Sequence, residues 1–289
     1  MKNKLNKALR AVPLYVWVIL FTVIPLFMIV FYAFFKVQDG GGYEFTMEFI
    51  QKSVTNGDYI HSFLISVKYA AVSTVVCLIV GYPVAYFLNQ ISERIRDFIM
   101  VLFLLPMWMN FIIRTYAMRS LMEKNGLLGF LWDFLGIKGG SLIGTEAAII
   151  IGMVYNFLPF MILPIYTSLT KMDRGLIEAA QDLGANKIKV FTKVLLPLTM
   201  PGIVSGITMV FMPSVTTFVI PQMLNNKVMT IGSIIEYKFK QEASSTAVSG
   251  VGAALSMVLM IIVIISMTFV NRFSDAEEIR EEKEKRRVN

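Results

Sequence analysis

Glu178-Ala179-Ala180-Gln181-Asp182-Leu183-Gly184 is a polar segment set between two long apolar stretches, with cations on both sides of it. Residues 147–170 before it carry no charge, and none occurs from Val194 to Asn226 after it. A polar helix held between two membrane-length segments is built to be pushed on from outside the bilayer. Leu176, Ile177, Ala179, Ala180 and Leu183 recur at helical spacing, and Gly184 supplies the stop. Ile188, Phe191, Val194 and Leu195 continue a second helical pattern up to Pro197. The spacing predicts a helix-turn-helix bracket lying against the membrane, and two readings fit it. In one, the small pair Ala179-Ala180 admits a docked partner that Glu178 holds by a hydrogen bond or an ion pair. In the other, the bracket is an amphipathic interfacial helix anchored by Lys187, Lys189 and Lys193.

The whole chain is equally apolar. Of its 289 residues 56% are hydrophobic and 16% charged, with a mean hydropathy of +0.64, which sets it apart from soluble globular domains. A hydrocarbon core of about 30 Å takes about 20 apolar residues per helix. Six stretches meet that requirement: 12–35, 62–89, 98–118, 146–169, 200–222 and 248–270. The polar segment 171–199 joins the fourth to the fifth. Runs this long exclude an outer-membrane barrel, whose strands alternate over about ten residues. The expected fold is therefore an all-α integral membrane protein with six transmembrane helices, flanked by residues 1–11 and by a charged tail, 271–289. The first run is too long for the 7–15 apolar residues, roughly, of a secretory signal, and bulky Phe31-Tyr32-Ala33-Phe34-Phe35 offers no cleavage site. It is expected to be retained.

Cytoplasmic loops hold positive charge. With both termini inside, the cytoplasmic segments carry 17 Lys and Arg and the external ones 8. This places both termini and the Glu178 segment in the cytoplasm. The net charge of +7 follows from that asymmetry and requires no nucleic acid.

Enzymatic chemistry finds little support. One histidine, His61, falls at the end of the second span, so neither a His-rich metal centre nor an HExxH helix can form. Cys77, the one cysteine, lies inside that span and reads as an inert buried thiol. No Gly-Lys pair occurs, so the phosphate-cradling GxxxxGK[ST] loop is absent and the chain cannot draw on ATP by that route.

Polar interruptions within the spans carry the remaining information. Pro83, Pro106, Pro159, Pro164, Pro213 and Pro221 each remove a backbone donor and can kink a helix. Gly202 and Gly206 form a GxxxG spacing that fits an internal packing face, a subunit interface or chance. Lys68 and Arg114 are the sole charges within the second and third spans. A cation at mid-bilayer costs roughly 2.5–3.5 kcal/mol on insertion scales, so each must snorkel, find a partner or face water. For Arg114 the alternative to snorkelling is that Trp108, Asn110, Arg114 and Tyr116 help to line a translocation path, together with Tyr155 and Asn156 of the fourth span. Asn156 also fits a hydrogen bond between neighbouring helices.

The string Glu178-Ala179-Ala180, then Gly184, then Val194-Leu195-Leu196-Pro197, resembles the EAA loop of bacterial ABC importer permeases, and the resemblance spans roughly residues 60–270. Leu105-Pro106-Met107-Trp108, Ile113-Arg114-Thr115-Tyr116-Ala117, Asn125-Gly126-Leu127-Leu128, Leu158-Pro159-Phe160-Met161-Ile162-Leu163-Pro164 and Phe218-Val219-Ile220-Pro221 are similar to the B-type permease subunits of spermidine/putrescine importers. Gln241-Glu242-Ala243-Ser244-Ser245-Thr246 departs from that group, where an aromatic-rich turn is usual.

The resemblance implies a type I importer permease with a MetI-like core over residues 62–270, forming half of a polyamine pathway. Its partners would be a homologous C-type permease, a cytoplasmic ABC ATPase dimer, an extracellular polyamine-binding protein or domain, and the lipid bilayer. ATP and Mg would be held by the ATPase, and no cofactor by this chain. Glu178, Ala179, Ala180, Asp182, Leu183, Gly184 and Pro197 would make the ATPase-coupling segment. For a polycation the path should offer carboxylates or aromatic faces, which adds Glu236 to the candidates, with Glu123, Glu146, Glu242 and Tyr237 as further external groups. Arg114 would repel such a substrate, so it is expected to have a carboxylate partner or to contact backbone carbonyls. Permeases for iron, thiamine or sulfate are the alternatives within the class. An autonomous secondary transporter lies outside it, and the lack of intramembrane carboxylates argues against proton coupling.

Overall fold

The structure, a computed structural model, describes residues 12–38, 42–134, 141–173, 175–243 and 250–268. Residues 1–11 and the charged tail 271–289 lie outside this set, as do Ser244, Ser245, Thr246 and the side chain of Glu242. The chain forms two compact units, Met1–His61 with Ile234–Ile264, and Ser62–Ser233 with Ile265–Asn289.

In the first unit a helix spans Val12–Phe34 and holds a π-helical turn at Ile19–Val23. Pro25 follows that turn directly. It has no N–H to continue the regular ladder, and its ring crowds the preceding turn, which is where wider π turns arise. The helix stops at Phe34 because Phe35 turns extended and opens a hairpin, Phe35–Val37 paired antiparallel with Tyr43–Phe45. The hairpin is a small addition to a helical fold, and it ends the first helix at Phe34, one residue before the expected boundary at 35. Aromatic rings cause it: Phe45 stacks on Phe34 at 6.0 Å and meets Phe35 edge-on at 5.7 Å, while Lys36 stands opposite Glu44. Ala33, Ala253, Ala254 and Met257 form this unit's core.

The second unit is built around the Glu146–Lys171 helix, whose Ile149, Met153, Met161, Ile162, Ile165 and Leu169 are buried. Gly57–Gln90 and Met200–Thr216 also bury one face in its core. Among the described residues, four helices are long and apolar enough to span a membrane: Val12–Phe34, Gly57–Gln90, Glu146–Lys171 and Gly250–Thr268. Six are reached if two bent pairs each count as one span.

Those bent pairs alter the expected third and fifth spans. The stretch 98–118 is two helices, Glu93–Trp108 and Phe111–Phe130, which meet at 101°. Met109 is extended, and the Asn110 side chain accepts hydrogen bonds from the Ile112 and Ile113 amides at 2.9 and 3.4 Å, starting the second helix afresh. The fifth span continues a helix over Lys187–Leu198 and bends by 66° into Met200–Thr216. It ends there, because Thr217 is extended, and Val219–Leu224 is a separate short helix.

Candidate functional site

The Glu178 segment folds as two helices around a capped turn. Asp173 Oδ1 accepts from the Gly175 amide at 2.9 Å and opens the helix Gly175–Asp182. Gly184 closes it at φ 78°, with its amide donating to Gln181 O at 2.8 Å and the Ala185 amide donating to Ala180 O at 3.0 Å. Those two bonds define a Schellman cap. Asn186 then accepts from the Lys189 amide at 2.9 Å and starts the next helix, Lys187–Leu198, with a π turn at Phe191–Leu195 just before Pro197.

Ile177, Ala180 and Ala185 turn inward against the core, while Glu178, Ala179, Asp182, Leu183, Gly184 and Pro197 are exposed. Ala180 is thus partly packed against the core. Leu183 is 89% exposed, an unusual state for leucine, and Ile188 stands out beside it. No Cβ clash opposes a side chain at position 184; only the left-handed backbone does. Gly184→Val is therefore expected to destabilise the bracket by about 1–2 kcal/mol, and Gly184→Asn by much less, since asparagine tolerates that region. Limited proteolysis at the turn, alongside thermal melting of the purified protein, checks the order.

The bracket joins the membrane helix at Thr199, where Pro197 and Pro201 each remove a donor. The buried Thr199 hydroxyl donates to Leu195 O at 2.8 Å, an oxygen that also accepts from the Thr199 amide at 3.0 Å, and Tyr82 OH lies 3.0 Å from the hydroxyl. Phe191 stacks edge-on against Tyr82 at 5.4 Å, so the bend rests on the Gly57–Gln90 helix. A hollow of about 610 Å³, lined by Tyr82, Pro83, Phe191, Met200 and Ile203 among others, flanks the bend. Sequence reading missed Tyr82 and Thr199, although the Pro197-x-Thr199-x-Pro201 pattern marks the break.

The candidate path residues divide into four groups. Trp108 (87% exposed), Tyr116 and Tyr155 present accessible rings. Asn110 is committed to the helix start described above. Arg114 and Asn156, by contrast, are 7% and 0% exposed and bonded to each other: Arg114 Nε donates to Asn156 Oδ1 at 2.7 Å, and a guanidinium NH donates to Pro106 O at 3.0 Å. The guanidinium finds a backbone carbonyl and an amide rather than a carboxylate. Buried in this way, the two side chains tie elements of the subunit together. Glu236, in the other unit, pairs with Lys240.

Residues 3–276 match the family described as the binding-protein-dependent transport system inner membrane component. The spermidine/putrescine transport system permease protein PotB of Haemophilus influenzae is 33% identical over 91% of this chain and 93% of its own. PotB of Escherichia coli is 34% identical over 77% of this chain and 82% of its own. Among solved structures, a bacterial ABC transporter involved in import of the acidic polysaccharide alginate superposes with a TM-score of 0.78 at 14% identity, covering 95% of this chain and 96% of that one. The MetNI methionine ABC transporter in an inward-facing form gives 0.54 at 21% identity, over 75% and 95%. At those identities the likeness is one of fold.

Proposed function

The chain belongs to the family of binding-protein-dependent transport system inner membrane components, and from that premise we propose that it forms half of the transmembrane pathway of a polyamine importer, carrying spermidine or putrescine. The 33% identity to a spermidine/putrescine permease over nine-tenths of the chain carries this reading. It is a multi-pass cytoplasmic-membrane transport subunit with both termini inside. A homologous permease completes the path, an extracellular binding protein delivers the polyamine, and a cytoplasmic ATPase dimer holds ATP and Mg and hydrolyses the nucleotide.

The exposed ridge of Glu178, Ala179, Asp182 and Leu183 docks on that ATPase. Closure of the ATPase dimer displaces the ridge, and the helix Lys187–Leu198 passes the displacement through the braced Thr199 bend to Met200–Thr216. A ligand shifts a two-state element only by its differential affinity for the two states, and this connection supplies the lever.

Reconstitution of the permease pair, ATPase and binding protein in vesicles tests the function. ATP hydrolysis and uptake should be stimulated by spermidine or putrescine. Stimulation by thiamine, ferric iron or sulfate with none by polyamines would overturn the substrate assignment, and uptake without the ATPase would overturn the class. Leu183→Arg, at a side chain in contact with little of its own subunit, should leave folding intact and weaken ATPase association about tenfold, or ~1.4 kcal/mol. Quantifying the ATPase that copurifies with the variant decides this.

A further inference from the structure

Lys68 is the sole charge between residues 63 and 88, and its ammonium has found a specific place. Nζ lies 2.7 Å from Glu146 Oε2, across 78 residues of sequence, and 5.5 Å from the centroid of the Tyr69 ring. Tyr69 is buried, so its ring is a fixed wall beside the ammonium. Glu146 is held at the first turn of its helix, whose N-cap Thr145 accepts from the Ala148 amide at 3.2 Å. A fixed carboxylate beside an aromatic ring is the chemistry that recognises an alkylammonium group. The terminal amine of a polyamine is that same group, a primary ammonium on a methylene chain.

We propose that Glu146 and Tyr69 form an alkylammonium site that Lys68 occupies when no substrate is present, and that a polyamine enters by exchanging one of its amines for the lysine ammonium. The proposal rests on the polyamine reading above, and in the topology given there the site lies on the external side. Two observations make exchange feasible. Both side chains of the pair remain about half exposed, at 54% and 55%, so a second cation can reach the carboxylate without unfolding anything. An ion pair that open holds its partners weakly, and a multivalent cation competes well for it. Lys68 thereby keeps a lone carboxylate neutralised between transport cycles and sets a threshold that monovalent metal cations, which lack a hydrogen-bonding ammonium, do not cross.

Equilibrium binding of radiolabelled spermidine to the purified permease–ATPase complex, without binding protein and titrated to millimolar concentration, tests the exchange. Lys68→Met keeps the apolar stem and removes the competitor; it should tighten spermidine binding about two- to fivefold, the range an exposed ion pair permits. Glu146→Gln should weaken binding below wild type, and the double variant should show no gain. A purely structural pair would instead lower the thermal stability of both single variants and leave spermidine binding unchanged. That result, or failure of both wild type and Lys68→Met to bind spermidine, overturns the proposal. Loss of the polyamine reading itself would show separately, as absence of spermidine uptake by the complete wild-type system with its binding protein.

Discussion

Gly202→Val will prevent the Met200–Thr216 and Glu146–Lys171 helices from closing on each other, and the subunit will not be recovered as a monodisperse protein. A Cβ at position 202 would stand 2.4 Å from Ser168 Oγ, 2.6 Å from Pro164 O and 2.8 Å from Ser168 Cβ. Two of those three atoms are backbone or fixed directly to it, so the helices themselves must separate. Alanine alone imposes that separation, and valine adds two methyl groups to a contact that has no room for one. Overpacking of a filled interior costs about 1–3 kcal/mol, and here it falls at the crossing of two core helices. Gly206→Ala should be milder, since its Cβ would meet the flexible end of Met161 first, at 2.7 Å. The three readings open to the Gly202 and Gly206 spacing are thus separated: the glycines face a helix of their own subunit. Thermal melting and size-exclusion profiles of Gly202→Ala, Gly202→Val and Gly206→Ala in detergent check the order. Normal stability of isolated Gly202→Ala with failure only in permease pairing would assign the face to the partner instead.

Asn156→Leu is the second large effect, expected to cost about 1.5–3 kcal/mol, the worth of a hydrogen bond to a charged group. The substitution strands a guanidinium that is 7% exposed, with Pro106 O as its remaining hydrogen-bond acceptor among those described. Arg114→Lys should also be damaging. The guanidinium serves two acceptors in different directions from one rigid fork, and an ammonium on a flexible stem cannot hold both. Arg114→Met combined with Asn156→Leu should recover much of the loss, because removing both partners leaves no orphaned charge. A double-mutant cycle on melting temperature measures that coupling; additive losses would refute it. Pro106 lies in the last turn of the helix before the 101° bend and Arg114 on the helix after it, so the bond between them fixes the angle of the broken span as well as its stability.

Much of the second unit was legible beforehand because its signals are local. Gly184 stops the polar helix for the reason its sequence context implies, a backbone position that side chains avoid. Prolines 197 and 201 flank the bend at Thr199, which the apolar run 200–222 did not disclose. The broken third span was not legible. Hydropathy over 98–118 registers the cost of transferring side chains to lipid and is blind to helix direction, so two helices at 101° read as one. Met109 and Asn110 carry the break, yet asparagine in an apolar run fits a path lining or an interhelical bond equally well. The hairpin at Phe35–Val37 escaped notice for a related reason: three-residue strands are too short for alternation to register.

The sequence by itself determined the class of the protein, the apolar stretches that supply its spans, and the polar bracket between the fourth and fifth of them. Each depends on composition or on spacing within a few turns of helix, and transfer free energy and backbone sterics act at that range. Only the tertiary structure decided the roles of the charges and glycines inside the spans. It bonded Arg114 to Asn156 forty-two residues away, seated Lys68 on Glu146, and set Gly202 against Ser168. A buried polar group must find a partner, but which one depends on which helices meet, and contacts so distant along the chain leave no periodicity behind.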